Sequence, residues 1–322
     1  MLIFDETKLI SIYMSQKIEG LHHITAVSGP AKENYDFYTG KLGLRFTKKT
    51  INFDDPFTHH LYYGNYEATP GSAITFFPWQ GVEQGLPNTG EATVVSYAVP
   101  TGSLDFWIEH FKSEGIDIEQ ERGRFGDKSV LFKDVEGMKN EIVESEDVED
   151  IRPQSNGKIA PKNAIRGFHG TTLSLADISR TAELLQEFGW QKHGEENGIT
   201  RYISKPENNL GTAIDLKTEP GLQGRFGRGS VHHIAFRVPD DNVQQKWRQK
   251  LLKMGFMPTP VQDRQYFRSI YFREPGGVLF EIATDTPGFT KDEPLESLGQ
   301  ELKLPPWYEQ HRAEIEKRLP EL

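Results

Sequence analysis

The sequence contains no cysteine, so disulfides, thiolate zinc sites and a cysteine nucleophile are all excluded. It has no apolar run approaching the roughly 18 residues of a membrane span, and its amino terminus lacks the long apolar core and cleavage pattern of a signal peptide. Lys/Arg-rich runs and basic aromatic platforms are missing as well, and the formal net charge is -10 over 322 residues. Nucleic acid and anionic membrane are therefore not expected partners, and a cytoplasmic location is expected. Residues 1–15 carry no strong pattern and are expected to be an extension, with Met14 a candidate biological start.

What is present is a repeat. Four times the chain shows a strand, then a helix closed by glycine and an apolar residue, then further strands. The closing glycines are Gly43, Gly115, Gly189 and Gly255, spaced by subtraction at 72, 74 and 66 residues. A second series, Gly71, Gly137, Gly211 and Gly277, precedes the last strand of each unit, and four residues beyond each stands Thr75, Glu141, Asp215 or Glu281. Laid over one another, the opening strands align His23, about Val94, His169 and His233. Each unit reads as βαβββ, with helices near Lys32 to Leu42, Ser103 to Glu114, Ile178 to Phe188 and Val243 to Met254.

Strand periodicity then sorts the side chains. Ile234, Phe236 and Val238 form one face, leaving His233 on the other with Ala235. Phe280 and Ile282 form the greasy face of the last strand, so Glu281 points away from them. An imidazole and a carboxylate thus project from two strands onto what could be one surface, as metal ligands on a sheet would. Tyr271 shares parity with Ser269 and Arg273, opposite Ile270 and Phe272, whereas His22 and His232 have the opposite parity from the ligands beside them. A lone strand histidine is more often hydrogen-bonded structure than a ligand; recurrence at equivalent positions changes that weighing.

Repeated βαβββ units with His on the first strand and Glu on the last resemble the vicinal oxygen chelate (glyoxalase/extradiol dioxygenase) superfamily. The pairs His22-His23 and His232-His233, the stretch Arg-Gln-Tyr-Phe-Arg-Ser-Ile-Tyr from Arg264, and Pro-Gly-Gly-Val-Leu-Phe-Glu resemble its hydroquinone ring-cleaving dioxygenases. The resemblance implies an α+β fold of four modules forming two open, barrel-like cups. It implies Fe(II), with Mn(II) the alternative, on His23, His233 and Glu281, and catalytic or substrate-side roles for Tyr271, Arg264, His232, His22 and Thr25. The implied partners are a small aromatic diol and O₂, and a homo-oligomer is compatible. A glyoxalase-type isomerase or thiol transferase and a non-enzymatic binding cup are the competing readings.

The expected division is an extension at 1–15, modules one and two at 16–146, a polar linker at 147–163, modules three and four at 164–290, and a tail at 291–322. In the tail, Pro305-Pro306-Trp307 opens a predicted helix to about Leu319. The ligand inventory further predicts which modules close a cup together. Modules one and four pool His23, Thr75, His233 and Glu281, which yields a two-histidine, one-glutamate set, and the doubled histidines occur only there. Modules two and three are then expected to form a catalytically silent cup. His59 and His60, beside Leu61-Tyr62-Tyr63, are candidates for a place near a cavity mouth, with structural or surface roles the ones expected.

Overall fold

The computed structural model describes residues 17–221 and 224–322; the expected extension and Met14 lie outside the described residues. Module one contributes β1 (Leu21–Ser28), β2 (Arg45–Asn52), β3 (Asp55–Gly64) and β4 (Ala73–Pro78). Module two contributes β5 (Glu91–Pro100), β6 (Ile118–Arg122), β7 (Ser129–Lys133) and β8 (Lys139–Ser145). Module three has β9 (Gly167–Leu175), β10 (Gln191–Glu196), β11 (Ile199–Ile203) and β12 (Ala213–Thr218). Module four has β13 (Val231–Val238), β14 (Gln262–Asp263), β15 (Arg268–Arg273) and β16 (Leu279–Thr284).

These strands form two eight-stranded, cupped sheets of order β14-β15-β16-β13-β1-β4-β3-β2 and β10-β11-β12-β9-β5-β8-β7-β6. The seam of the first sheet is the antiparallel pair β1–β13, so modules one and four close one cup, the arrangement the ligand inventory predicts. The seam of the second is β5–β9, which joins modules two and three. Strand pairing therefore runs across the 147–163 segment in both sheets, and that segment holds only short 3-10 turns at Glu146–Val148 and Pro161–Asn163.

The module helices pack into a shared core, and Phe188 at the end of the module-three helix meets Phe236, Trp247 and Phe280 of module four. In module four, Asp240 caps the helix Asp241–Lys253 by accepting from the Val243 N–H at 2.9 Å, and Trp247 and Leu251 bury against Phe236 and Phe280 in one core that continues into the second sheet through Tyr97 and Phe168. Truncating one of these rings to alanine costs about 3–5 kcal/mol. The helix-closing and strand-leading glycines all have positive φ, between 63° and 104°, which is why glycine recurs there.

Two expected helices differ from the structure. The first winds as α-helix only over Ala31–Tyr35 and continues as π-helix over Asp36–Lys41, with Gly40 in its last turn. In the tail, Pro305 to Tyr308 is a turn, with Tyr308 N–H donating to the Pro305 carbonyl, and α-helix covers only Arg312–Arg318. Docking explains the shortening: Trp307 packs edge-on against Phe53 and the Tyr308 hydroxyl donates to the Phe53 carbonyl, contacts a regular helix from Pro305 would not aim at the β2–β3 hairpin. Among the described residues, no helix is long and apolar enough to cross a membrane.

Candidate metal centre

The seam that joins modules one and four also builds the site. Pairing of β1 with β13 matches Leu21 to Phe236, His23 to Ala235, Thr25 to His233 and Ala26 to Val231, leaving His22 and His232 each as an extra residue in its strand. Both are β-bulges, and a bulge re-aims a side chain. Leu21 and Ile24, like Val231 and Ile234, face the core on either side, so both members of each histidine pair turn to the opposite face. Simple alternation, which separates His22 from His23 and His232 from His233, is overturned here by the register shift.

Three donor atoms converge. His23 Nε2 and His233 Nε2 lie 3.3 Å apart, and Glu281 Oε2 lies 3.3 Å from the former and 2.9 Å from the latter. All three side chains are buried, and among the described residues they form the only cluster of three or more His, Cys, Asp or Glu able to share an ion. The other ring nitrogens are engaged with their neighbours: His23 Nδ1 with His22 Nδ1 at 2.9 Å, and His233 Nδ1 with His232 Nδ1 at 2.7 Å. In the tautomer in which each Nδ1–H donates to its neighbour, both Nε2 atoms present lone pairs to the carboxylate. Glu281 Oε2 is itself a buried oxygen with no hydrogen-bond partner. Three lone-pair donors aimed at one point repel unless a cation lies between them. Ligand bonds of about 2.1 Å at right angles place donors about 3 Å apart, the spacing found here.

The electrostatics agree. Burial opposes ionisation of Glu281, but positive charge placed on His23 and His233 outweighs it and holds the carboxyl well below its ordinary range, so the carboxylate is stable here when a cation, proton or metal, stands between the three groups. Its other oxygen accepts from the hydroxyl of Ser269, its diagonal neighbour on β15. Burial, reinforced by His233, lowers His232 to about 3, and burial with His23 lowers His22 well below the usual imidazole value. Both flanking histidines are thus neutral at pH 7.

The centre opens into a cavity of about 380 Å³ whose lining includes His23, His233, His232, Tyr271 and Arg264. Tyr271 stands opposite Glu281 in register, and its hydroxyl accepts from Arg264 Nε at 3.3 Å. Arg264 is fixed from behind by Asp54 at 3.0 Å, so the β14–β15 connection and the β2–β3 hairpin meet across the mouth. Phe77, Trp79 and Phe267 supply aromatic walls. Thr25 and His22 do not line this cavity. Thr25 Oγ1 bonds Thr75 Oγ1 at 2.8 Å, and His22 packs edge-on to Phe267.

His60, a candidate for a place near a cavity mouth but expected to be structural or superficial, lines the cavity and bonds Thr75 Oγ1 through Nε2 at 2.8 Å, while its Nδ1 meets the Tyr62 hydroxyl at 2.9 Å. The signal lay in register: Tyr62 pairs with Thr75 as Tyr271 pairs with Glu281, so residues 60 and 62 of module one had to face the same cup.

The model of the Glyoxalase/Bleomycin resistance protein/Dioxygenase superfamily matches residues 20–142 and 151–282. The chain is 47% identical over 310 residues to the Bacillus subtilis protein named "Putative ring-cleaving dioxygenase MhqO", covering 95% of this chain and 97% of that one. It is 35% identical over 315 residues to a Chlorohydroquinone/hydroquinone 1,2-dioxygenase of Sphingobium indicum, covering 94% and 96%. Among solved structures, a "putative dioxygenase" from Bacillus subtilis superposes with a TM-score of 0.91 at 46% identity, covering 94% of this chain and 97% of that one. A glyoxalase I variant from Zea mays superposes at 0.64 with 14% identity, covering 87% and 97%, a likeness of fold alone.

Proposed function

The chain belongs to the glyoxalase/bleomycin resistance protein/dioxygenase superfamily, and from that premise we propose that it is an Fe(II)-dependent dioxygenase that opens hydroquinone- or catechol-type aromatic diols with O₂. The observation that carries this reading is the buried set His23, His233 and Glu281 opening onto an aromatic-walled cavity that also contains Arg264 and Tyr271. Two imidazoles and one carboxylate are the donor set of non-heme Fe(II) oxygenases and leave positions free for substrate oxygen and O₂. Iron bound there would supply the electron transfer that lets O₂ react with the ring.

The chain's own residues orient the reactants and manage protons. Phe77, Trp79 and Phe267 hold the ring and exclude water. Burial raises the Tyr271 hydroxyl above its ordinary value, so it stays protonated and donates a hydrogen bond to a substrate oxygen. Arg264, held by Asp54, stabilises negative charge that develops on substrate beside Tyr271. His232, neutral and on the cavity wall, accepts from His233 through Nδ1 and so carries its proton on Nε2, a hydrogen-bond donor to a substrate oxygen. Overall, diol and O₂ give a ring-opened semialdehyde acid that retains both oxygen atoms.

The isomerase or thiol-transferase reading wants a fuller ligand shell. The position equivalent to Glu281 in module one is Thr75, whose hydroxyl is already engaged by Thr25 and His60, which favours the dioxygenase. The test is anaerobic loading with Fe(II), or with Mn(II) in parallel, followed by O₂ uptake on a panel of hydroquinones and catechols. Stoichiometric O₂ consumption with a new ring-opened chromophore is expected. Metal-loaded protein that consumes no O₂ with any diol contradicts the proposal.

A further inference from the structure

The second cup has its own cavity, of about 310 Å³, at the place corresponding to the substrate cavity of the first. Its lining is mixed: Val94 on β5, Leu131 on β7 and Ile199 on β11 are its apolar part, charged side chains stand around them, and the segments Gln84–Pro87 and Arg228–Ser230 border it. Two polar groups on its lining are buried without a partner: Arg124 Nε and Thr172 Oγ1, in residues 7% and 3% exposed. Arg124 spends its terminal nitrogens on Glu141 at 3.1 Å and Asp215 at 3.3 Å, which leaves the Nε–H unused. Buried unpaired donors of this kind are costly, and a ligand oxygen that accepts from them removes the cost.

Charge fixes which end of a ligand meets which end of the cavity. At the floor, Arg124 and Arg201 face Glu141, Asp215 and Asp127, one carboxylate more than they balance, so a neutral acceptor fits there and an anion does not. At the mouth, Lys217 pairs with Glu219 and Arg228 with Glu136, Glu91 is a further acid on the lining, and the half-exposed amines of Lys133 and Lys139 share the single carboxylate of Glu119, at 2.6 and 3.4 Å, which makes them the least fully paired cations there. We propose that the second cup binds a short-chain oxo acid, its carbonyl oxygen taking the Arg124 Nε–H and Thr172 hydroxyl and its carboxylate meeting Lys133 and Lys139. Ring cleavage of a diol releases a molecule of this class, but occupancy of the second cup stands apart from catalysis in the first.

The test is calorimetric titration of the metal-loaded full chain with levulinate, alongside valerate, which lacks the carbonyl, and methyl propyl ketone, which lacks the carboxylate. Levulinate is expected to bind saturably and both controls more weakly. Thr172→Val, which keeps the shape and removes the hydroxyl, is expected to weaken binding about five-fold, the worth of one buried hydrogen bond. Ile199→Trp, which fills the cavity, is expected to abolish it. His23→Ala is expected to leave it unchanged, which separates this site from the metal cup. The proposal is overturned if levulinate does not bind, if Ile199→Trp and Thr172→Val bind as the parent does while thermal melts show them folded, or if only His23→Ala loses binding.

Discussion

The two cups share one frame and differ in what occupies it. Register makes the comparison residue by residue: the first-strand ligand position holds His23 and His233 in one cup, Gly170 and Val94 in the other, and the last-strand position holds Thr75 and Glu281 against Asp215 and Glu141. The second cup thus has more carboxylate than the first, yet its acids are answered by Arg124 and Arg201 from within the chain. Carboxylates at the base of such a cup do not by themselves make a metal centre. Where imidazoles supply lone pairs the cup needs an outside cation, and where guanidinium groups reach in it supplies its own. Gly170 shows how firmly the second choice is built in: a Cβ there would stand 2.0 Å from the Ala213 carbonyl oxygen, so no histidine can take the place of His23.

Breaking the comparison at its carboxylates should give the largest effect. Glu281→Ala is expected to empty the metal site and abolish O₂ uptake, while Glu141→Ala leaves metal content unchanged; metal analysis of both proteins checks this. Arg201→Met should do the reverse. It leaves Asp215 buried beside an apolar side chain and is expected to lower stability by about 3–5 kcal/mol in denaturant titration without changing metal content. Tyr271→Phe is expected to keep both metal and stability and to lower kcat about 10²-fold, the size of a positioned proton donor, in steady-state O₂ uptake.

How much of this was legible depends on which physics carries each feature. The glycine series was readable because positive φ leaves a residue-type mark, and His233 and Glu281 because alternation separates them from Phe236 and Phe280. The bulges leave no such mark, being a relation between two strands over 200 residues apart. Hence His22 and His232 could not be placed from parity, and His169 was aligned with His23 although it is the extra residue between Phe168 and Gly170, the counterpart of His22. His60 could be placed near a cavity mouth by its aromatic neighbours, but its bond to Thr75 across a strand pair depends on register in the same way. The tail helix was overextended because docking on Phe53, and not Pro-Pro-Trp chemistry, decides where it begins.

The smallest expected effect concerns pH and the second cup. Burial lowers the His169 pKa below its ordinary value, although Asp127 beside it works the other way. The unfolded chain therefore takes up that proton first as pH falls. The His169 contribution is fully present above about 6.5 and is lost progressively below it. His169→Gln is expected to flatten the slope of stability against pH between 6.5 and 5, measured by denaturant titration at fixed ionic strength, with metal content unchanged.

The most direct measurement of the central claim is the number of Fe(II) ions bound per chain after anaerobic loading, compared between His23→Ala and His169→Ala. One ion per chain in the parent and in His169→Ala, with none retained by His23→Ala, is the predicted result. Iron kept by His23→Ala and lost by His169→Ala would place the metal in the other cup and contradict the account.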